Sequence, residues 1–210
     1  MKFLIEQIPL MEAEGSIEKC HNATGYTSLV VVKKPGSGPV RWRIAHDLRE
    51  LNKVTKLYYF GLPEPCSIAY RLAGSYYITE FDLASGYWQI TIFPPLRRKT
   101  AFKLPGGQIY MWKRAPMGLS ISGIELCRFV VQRVVGDLLH HSVEAYSDNL
   151  WVYTKEDSFE LHMQHCSALL ERLEACKMSL KPPKCFIGMK TLNIVGYIIS
   201  QEGMRVNPWN

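Results

Sequence analysis

Two acidic residues, each placed where an apolar strand ends, constrain the fold of this chain most. Asp82 lies inside FDLASGYWQI and Asp148 inside AYSDNLWVY. A charge beside a core needs a cation, a basic partner or water, so each aspartate alone is also explained as a turn cap in water. Two strand ends can meet on adjacent strands of one sheet, however. Convergent carboxylates of this kind are typical of a two-metal phosphoryl-transfer site.

The remaining patterns predict hairpins separated by helices. Alternating or β-branched runs favour strands, helical spacing of apolar residues favours helices, and Pro-Gly-Gly at 105–107 favours a hairpin. Asp157 and Glu160 together match a capping box for one helix. Strands are predicted at 27–33, 40–46, 76–83, 143–153 and 194–200, an alternating segment at 88–93, a hairpin over 100–113, and helices at 67–72, through 129–139 and after 157. This mixed order predicts the α+β class.

Positive charge is concentrated near the N-terminus. The formal net charge is +6, and the segment 18–60 holds eight of the basic residues against three acidic ones. A second basic cluster consists of Arg97, Arg98, Lys99, Lys103, Lys113 and Arg114. Localised positive charge favours a polyanionic partner, and a solvated basic face is the alternative.

Cysteine usage and hydropathy indicate a reducing, non-membrane setting. None of the six cysteines forms a CxxC pair, and Cys166 lies near His162 and His165 without a common zinc spacing, so buried free thiols are favoured over a zinc site. No apolar run reaches membrane-span length. The segment 1–14 carries three glutamates and favours a surface helix over a signal peptide. We expect an intracellular protein, cytoplasmic or nuclear.

Several longer motifs occur together in one order. They are VVVKKPG (30–36), RWRIAHDLRELNKVT (41–55), FDLASGYWQI (81–90), KTAF (99–102), PMGLS (116–120), AYSDN (145–149) and LKPPKCFIGMKTLNIVGYIIS (180–200). In this order they resemble the reverse transcriptase of retroviruses and long-terminal-repeat retrotransposons, over roughly residues 15–208. Any one motif would be weak alone, whereas the ordered set is specific.

The resemblance implies a right-hand polymerase palm, an antiparallel sheet backed by helices, with a fingers subdomain and with the thumb absent. It implies an N-terminal helix or extension at 1–14 and a reverse transcriptase domain at 15–210. The fingers would occupy about 15–75 and 95–115, and the palm about 76–94 and 116–210. The expected activity is metal-dependent addition of deoxynucleotides to a primer 3′ end.

Site roles follow from the resemblance, one position at a time. Asp82 and Asp148 would bind two Mg²⁺ (or Mn²⁺) ions with the main-chain carbonyl of Leu83, and Asn149 completes the catalytic box. The implied nucleotide-binding residues are Lys34, Arg43, Leu83, Tyr87 and Gly118, where Tyr87 would exclude a 2′-hydroxyl and Gly118 lies in a turn that supports the templating base. Gly196 and Tyr197 would form the primer grip. Asp47, Arg49 and Asn52 are interpreted as template contacts or fingers structure.

Three departures from the family pattern bear on activity. Asn149 occupies the place of a second aspartate, so it keeps the shape and loses the charge. The second motif changes at Ile121, Ser122, Gly123, Leu126 and Cys127, and the resemblance implies that the thumb expected after residue 208 is missing. Expected partners are an RNA or DNA template with primer and deoxynucleoside triphosphates, with no membrane. A dimer or larger polyprotein is possible, and a catalytically inactive, decayed or domesticated palm that binds nucleic acid or serves as a non-catalytic subunit is the alternative.

Overall fold

A computed structural model describes residues 2–33, 42–61 and 63–208, without the side chains of Lys2 and Arg43. The helices are α1 (Lys2–Ala13), α2 (Arg49–Val54), α3 (Pro65–Leu72), α4 (Gly86–Gln89), α5 (Pro94–Arg97), α6 (Ser120–Phe129) and α7 (Phe159–Ala175). The strands are β1 (Ile17–Lys19), β2 (Thr27–Lys33), β3 (Trp42–His46), β4 (Tyr77–Asp82), β5 (Phe102–Lys103), β6 (Ile109–Trp112), β7 (Val143–Tyr146), β8 (Asn149–Thr154), β9 (Phe186–Met189), β10 (Thr191–Ile194), β11 (Tyr197–Ser200) and β12 (Gly203–Val206). The predicted α+β class is confirmed.

The chain divides into two compact units. The first unit comprises residues 1–58 and 87–124, and the second comprises 59–86 and 125–210. Residues 59–75 therefore group with the second unit and residues 87–94 with the first. The bounds given above for fingers and palm stay a prediction.

The first unit is built on a five-stranded sheet in the order β1-β6-β5-β2-β3. All its pairs are antiparallel except β2 with β5. One face of α1 is apolar and packs inward, because Ile8 and Met11 recur at helical spacing. The core of this unit consists of Ile8, Met11, Ile17, Phe102, Tyr110 and Trp112.

The second unit contains an antiparallel sheet in the order β7-β8-β4-β9 and a three-stranded sheet, β10-β11-β12. Side chains alternate along β4, so Ile78 joins α3 and the smaller sheet in one core, while Thr79 points to the opposite face. On that opposite face, α7 contacts β4 and β8. The core on the first face is Ile68, Ala69, Leu72, Ile78, Trp151, Tyr153, Leu192, Ile194 and Ile199.

Several local predictions need correction. The cap of α7 is Ser158, whose hydroxyl accepts a hydrogen bond from the Leu161 amide at 3.2 Å, so Asp157 lies one residue before it. The alternating segment at 88–93 begins inside α4, so it is not one strand. The helix predicted through 129–139 is α6 followed by a π-helical turn, Val130–Val135, and a 3-10 turn, Gly136–Leu138.

The C-terminal part holds more strands than predicted. The single strand expected at 194–200 is interrupted by a turn, where Val195 and Gly196 have positive φ of 48° and 88°. Thr191–Ile194 and Tyr197–Ser200 therefore pair as a hairpin, and Gly203–Val206 adds a further strand. The β-branched run concealed a turn because glycine is the only turn-forming residue within it.

Candidate active site

The register of β4 and β8 brings the two aspartates to one end of the sheet. Asp82 is the last residue of β4 and lies opposite Asn149, the first residue of β8. Asp148 is in the turn that joins β7 to β8, and its main-chain carbonyl accepts a hydrogen bond from the Leu83 amide at 2.8 Å. The convergence expected from the sequence is therefore present, and all four residues belong to the second unit.

A tight turn and a glycine permit this close approach. Ser147 adopts a positive φ of 57°, a conformation that a two-residue hairpin turn requires. Gly86 lies directly against the turn: a Cβ placed there would be 3.2 Å from the Asp148 Cβ and 2.9 Å from a methyl carbon of Leu126. A side chain at position 86 would therefore displace either Asp148 or the buried Leu126.

Asp82 is nearly enclosed and pairs with a lysine. Its side chain is 8% exposed, and its Oδ2 lies 3.0 Å from the ammonium Nζ of Lys184, whose side chain is 57% exposed. The hydrogen bond to Asp82 raises the pKa of Lys184, with smaller contributions from the charges of Asp148 and Glu80. The Lys184 ammonium is thus a cation bound directly to the Asp82 carboxylate.

Asn149 is held by a second acidic residue. Its Nδ2 donates a hydrogen bond to the Glu80 carboxylate at 2.6 Å. Partial burial raises the pKa of Glu80, and the hydrogen bond from Asn149 opposes this shift. Sequence reasoning missed both Glu80 and Lys184. Glu80 carried a signal, because an acid two residues before Asp82 must share its face of the strand.

The donor set of this site suits a hard divalent cation. Carboxylates of Asp82 and Asp148 and the carbonyl of Leu83 are oxygen ligands of the kind Mg²⁺ prefers, and Mg²⁺ usually completes its octahedron with water and substrate phosphates. Within 2–33, 42–61 and 63–208, no three His, Cys, Asp or Glu side chains are clustered closely enough to hold a metal by themselves. The residues therefore fit an ion that is shared with a phosphate substrate.

The cluster of Cys166, His162 and His165 is a hydrogen-bonded core element. His162 is fully buried and contacts the hydroxyls of Thr79 at 2.7 Å and Thr154 at 2.9 Å. Burial lowers the pKa of His162 to about 4 and raises the pKa of the Cys166 thiol. The Cys166 thiol is free and buried, as the sequence predicted.

Two predicted nucleotide-binding residues lie in well-defined parts of the first unit. Tyr87 belongs to α4, and its hydroxyl oxygen is 3.6 Å from the position of a Cβ on Gly123. Gly118 has a positive φ of 97°. The side chain of Asn52 fixes this turn, because Nδ2 donates to the Gly118 carbonyl at 2.8 Å and Oδ1 accepts from the Ser120 amide at 2.9 Å. Asn52 therefore has a structural role in the first unit.

Two further nucleotide-binding predictions, Lys34 and Arg43, concern the hairpin of β2 and β3. Lys34 lies outside the described residues. Arg43 is on β3 opposite Val32, and its side chain is likewise outside the description. The structure therefore gives the backbone position of Arg43 alone.

The predicted primer grip lies at the turn between β10 and β11. Gly196 is one of the two residues with positive φ in that turn, with Val195, and Tyr197 begins β11 opposite Ile194. A hydrogen bond with the Cys66 thiol raises the pKa of Tyr197. Tyr197 also packs against the core of the second unit, so the turn is anchored on one side.

The altered second motif contributes core residues to the second unit. Leu126 is fully buried against Gly86, and Cys127 is 7% exposed. Burial raises the pKa of the Cys127 thiol, and the nearby charge of Asp148 adds to this effect. A neutral thiol thus lies beside the turn that carries the second aspartate.

An antiparallel sheet with two aspartates at one end and a helix against one face is the arrangement of a polymerase palm. The family described as reverse transcriptase (RNA-dependent DNA polymerase) matches residues 32–199. The chain therefore belongs to the reverse transcriptase family, as the ordered motifs indicated.

Relatives from retroelements and viruses support this assignment. The chain is 28% identical over 203 residues to a retrovirus-related Pol polyprotein from transposon 297 of Drosophila melanogaster. The aligned region covers 96% of this chain and 19% of that protein. It is 30% identical over 164 residues to the enzymatic polyprotein of Cestrum yellow leaf curling virus, covering 77% of this chain and 25% of the relative. The chain thus spans a quarter or less of these relatives.

Solved structures share the fold. A foamy viral protease-reverse transcriptase in complex with double-stranded DNA superposes with a TM-score of 0.85 at 22% identity, over 99% of this chain and 35% of that one. A foamy viral protease-reverse transcriptase in complex with an RNA/DNA hybrid gives 0.80 at 21% identity, over 98% and 26%. In the portion of the chain that the structure describes, we find no helix with the length and apolar character needed to span a bilayer.

Proposed function

We propose that this chain is the fingers-and-palm part of an RNA-directed DNA polymerase of retroelement origin. It would add deoxynucleotides to a primer 3′ end in a metal-dependent reaction. The observation that carries the proposal is the meeting of Asp82 and Asp148 at one sheet end, joined by the hydrogen bond between the Leu83 amide and the Asp148 carbonyl. Membership of the reverse transcriptase family supports the reaction class.

Asp82, Asp148 and the carbonyl of Leu83 would hold the metal ions. Two Mg²⁺ or Mn²⁺ ions, when bound, activate the attacking hydroxyl and neutralise the leaving oxygens. Lys184 would have to release Asp82 for this, which its partly exposed side chain permits. The low exposure of Asp82 excludes bulk water from one side of the site and strengthens its interaction with a cation.

The remaining roles concern nucleotide and nucleic acid. Lys34 and Arg43 would clamp the triphosphate, since a guanidinium fork suits phosphate oxygens. Tyr87 would lie under the sugar, the turn at Gly118 would support the template base, and Gly196 with Tyr197 would hold the primer end. The related foamy viral structures, in complex with double-stranded DNA and with an RNA/DNA hybrid, support a template-primer partner.

Asn149 should slow the reaction, because the site has one carboxylate fewer at that position. A unit-charge pair at about 4 Å is worth on the order of 4 kcal/mol at an effective dielectric near 20, before screening. A loss of about 2.7 kcal/mol in the transition state corresponds to roughly a hundredfold in rate. We therefore expect slow extension.

A second candidate function is nucleic-acid binding without chemistry. The ion pair between Asp82 and Lys184 favours it, because that pair neutralises the more enclosed carboxylate without a metal. Binding of this kind should weaken steeply as salt rises, since phosphate contacts release counterions.

Primer extension on RNA and DNA templates, with Mg²⁺ or Mn²⁺, tests the proposal. Slow extension by the unaltered chain should disappear in Asp82→Asn and persist in the matched control Asp157→Asn, which changes an exposed aspartate. Extension that survives Asp82→Asn would contradict the metal site. If no variant extends a primer but binding stays salt-dependent, the binding function replaces the enzymatic one.

A further inference from the structure

Three polar side chains lie on one face of two paired strands. Glu80 and Asp82 are two residues apart on β4, so their side chains point to the same side of the sheet. The antiparallel register places Asn149 opposite Asp82 and Trp151 opposite Glu80. Asn149 is therefore the diagonal neighbour of Glu80, close enough for longer side chains to touch.

The contact between Glu80 and Asn149 has a defined polarity. The Asn149 amide donates its proton to the Glu80 carboxylate at 2.6 Å, and an ionised carboxylate can only accept. Two carboxylates at these positions would have no proton to share and would repel each other at this distance. Two amides could still form a hydrogen bond, but they would carry no charge. The geometry thus suits one acid and one amide.

We propose that Glu80 supplies a negative charge beside the Asp82 and Asp148 site that offsets part of the charge missing at Asn149, and that the hydrogen bond from Asn149 helps to position it. The inference deepens the proposed function and rests on it for the role of the charge, but the pairing itself does not need a polymerase. In this proposal Glu80 acts through its charge, and Asp82 and Asp148 are the metal ligands.

One consequence concerns repair of the catalytic box. Asn149→Asp restores the family's second aspartate, yet it places a carboxylate against Glu80. The single change should therefore strain the site unless Glu80 is neutralised at the same time. Glu80→Gln combined with Asn149→Asp keeps one acid and one amide and exchanges their positions.

The pairing is tested on the unaltered chain, Glu80→Gln, Asn149→Asp and the double variant, in EDTA near pH 8. We expect Asn149→Asp to lower Tm by roughly 3 °C or more, Glu80→Gln to change it little, and the double variant to return close to the starting value. Asn193→Asp and Glu171→Gln make the same chemical changes at exposed positions and serve as controls. Additive effects of the two changes would overturn the pairing.

The role of the charge is tested by Mn²⁺ binding, measured from the electron paramagnetic resonance signal of free Mn²⁺. The affinity for Mn²⁺ should follow the number of acidic residues at positions 80 and 149. Glu80→Gln should bind Mn²⁺ about tenfold more weakly than the unaltered chain. The double variant should bind Mn²⁺ about as tightly as the unaltered chain. If Glu80→Gln binds as well as the unaltered chain, Glu80 is not part of the site. A failure of primer extension in all variants, with both other results as expected, would reject the polymerase and leave the pair intact.

Discussion

The two units differ in the kind of polar group that they bury. The buried polar side chains of the first unit are Ser16, His46, Thr100 and Ser122, and those of the second are Ser75, Thr79, Asp82, Ser142, Glu144, Thr154 and His162. Among the described residues, both buried carboxylates thus belong to the second unit. Each of the two is paired with a basic side chain, Asp82 with Lys184 and Glu144 with Arg71.

The buried His46 of the first unit is satisfied by neutral hydrogen bonds, and the ion pair of Arg97 with Glu18 in this unit is only partly buried. The indole of Trp112 donates to His46 Nδ1 at 3.0 Å, and the Thr27 hydroxyl contacts the other ring nitrogen. Asn52 binds the Gly118 carbonyl and the Ser120 amide. Charge is costly to bury without a partner. The contrast therefore indicates that the second unit depends on buried charged pairs and the first unit on neutral hydrogen bonds.

The largest expected effect comes from breaking the most enclosed pair. Glu144 is fully buried and accepts from Arg71 at 2.6 and 3.0 Å and contacts His140 at 2.9 Å. Glu144→Ala leaves the Arg71 charge unpaired, and we expect the free energy of unfolding to fall by about 3 kcal/mol. Urea denaturation measures this.

Glu171→Ala, at an exposed position of α7, is the control and should cost little. A loss below about 1 kcal/mol for Glu144→Ala would mean that the pair contributes no more than an ordinary hydrogen bond. The contrast between the units would then have no energetic basis.

An intermediate change in the free energy of unfolding is expected when the pH is lowered. The two units should behave alike in this respect, because each contains a buried histidine. Burial lowers the pKa of both His46 and His162 to about 4, from an ordinary value of 6.5. The unfolded chain therefore binds more protons between pH 4 and 6.5. The stabilisation is complete above pH 6.5 and is lost as pH falls through this window, by about 2 kcal/mol per histidine at pH 5.

The test compares the free energy of unfolding at pH 7 and pH 5. His162→Gln and His46→Gln should each reduce the difference between the two pH values, whatever their effect on stability at pH 7. His21→Gln, at an exposed position, should leave the difference unchanged. An unchanged difference in His162→Gln would show that this histidine does not contribute to acid unfolding.

The site was predictable from sequence to the extent that local patterns fix it. Alternation along β4 and the hairpin around Asp148 were enough to place both aspartates at strand ends, and the strand ends do meet. The partners of these groups were not predictable, since Lys184 reaches Asp82 across 102 residues of sequence. Such a contact depends on sheet register and chain path, which no local pattern specifies.

The fold likewise divides into elements that local sequence patterns predict and elements that they do not. The strand at 27–33 and the helix near 67–72 follow their patterns closely, because composition and breakers agree there. The errors lie where neighbouring signals compete: Ser158 and Asp157 both suit a helix cap, and a β-branched run hid the turn at Val195 and Gly196. In each case the packing of the surrounding elements selects between local options of similar energy.

The smallest effect is expected in the first unit, at Asn52. Asn52→Ala removes two hydrogen bonds to main-chain groups beside Gly118, which is held at a positive φ of 97°. We expect a loss of about 1 kcal/mol, because water can replace part of these neutral contacts. Asn52→Asp separates the two bonds, since a carboxylate still accepts from the Ser120 amide but cannot donate to the Gly118 carbonyl. In urea denaturation its cost should be at least that of Asn52→Ala, because the second carboxylate oxygen would face the Gly118 carbonyl oxygen without a proton between them. A cost for Asn52→Ala as large as that of Glu144→Ala would remove the contrast between the neutral and the charged unit.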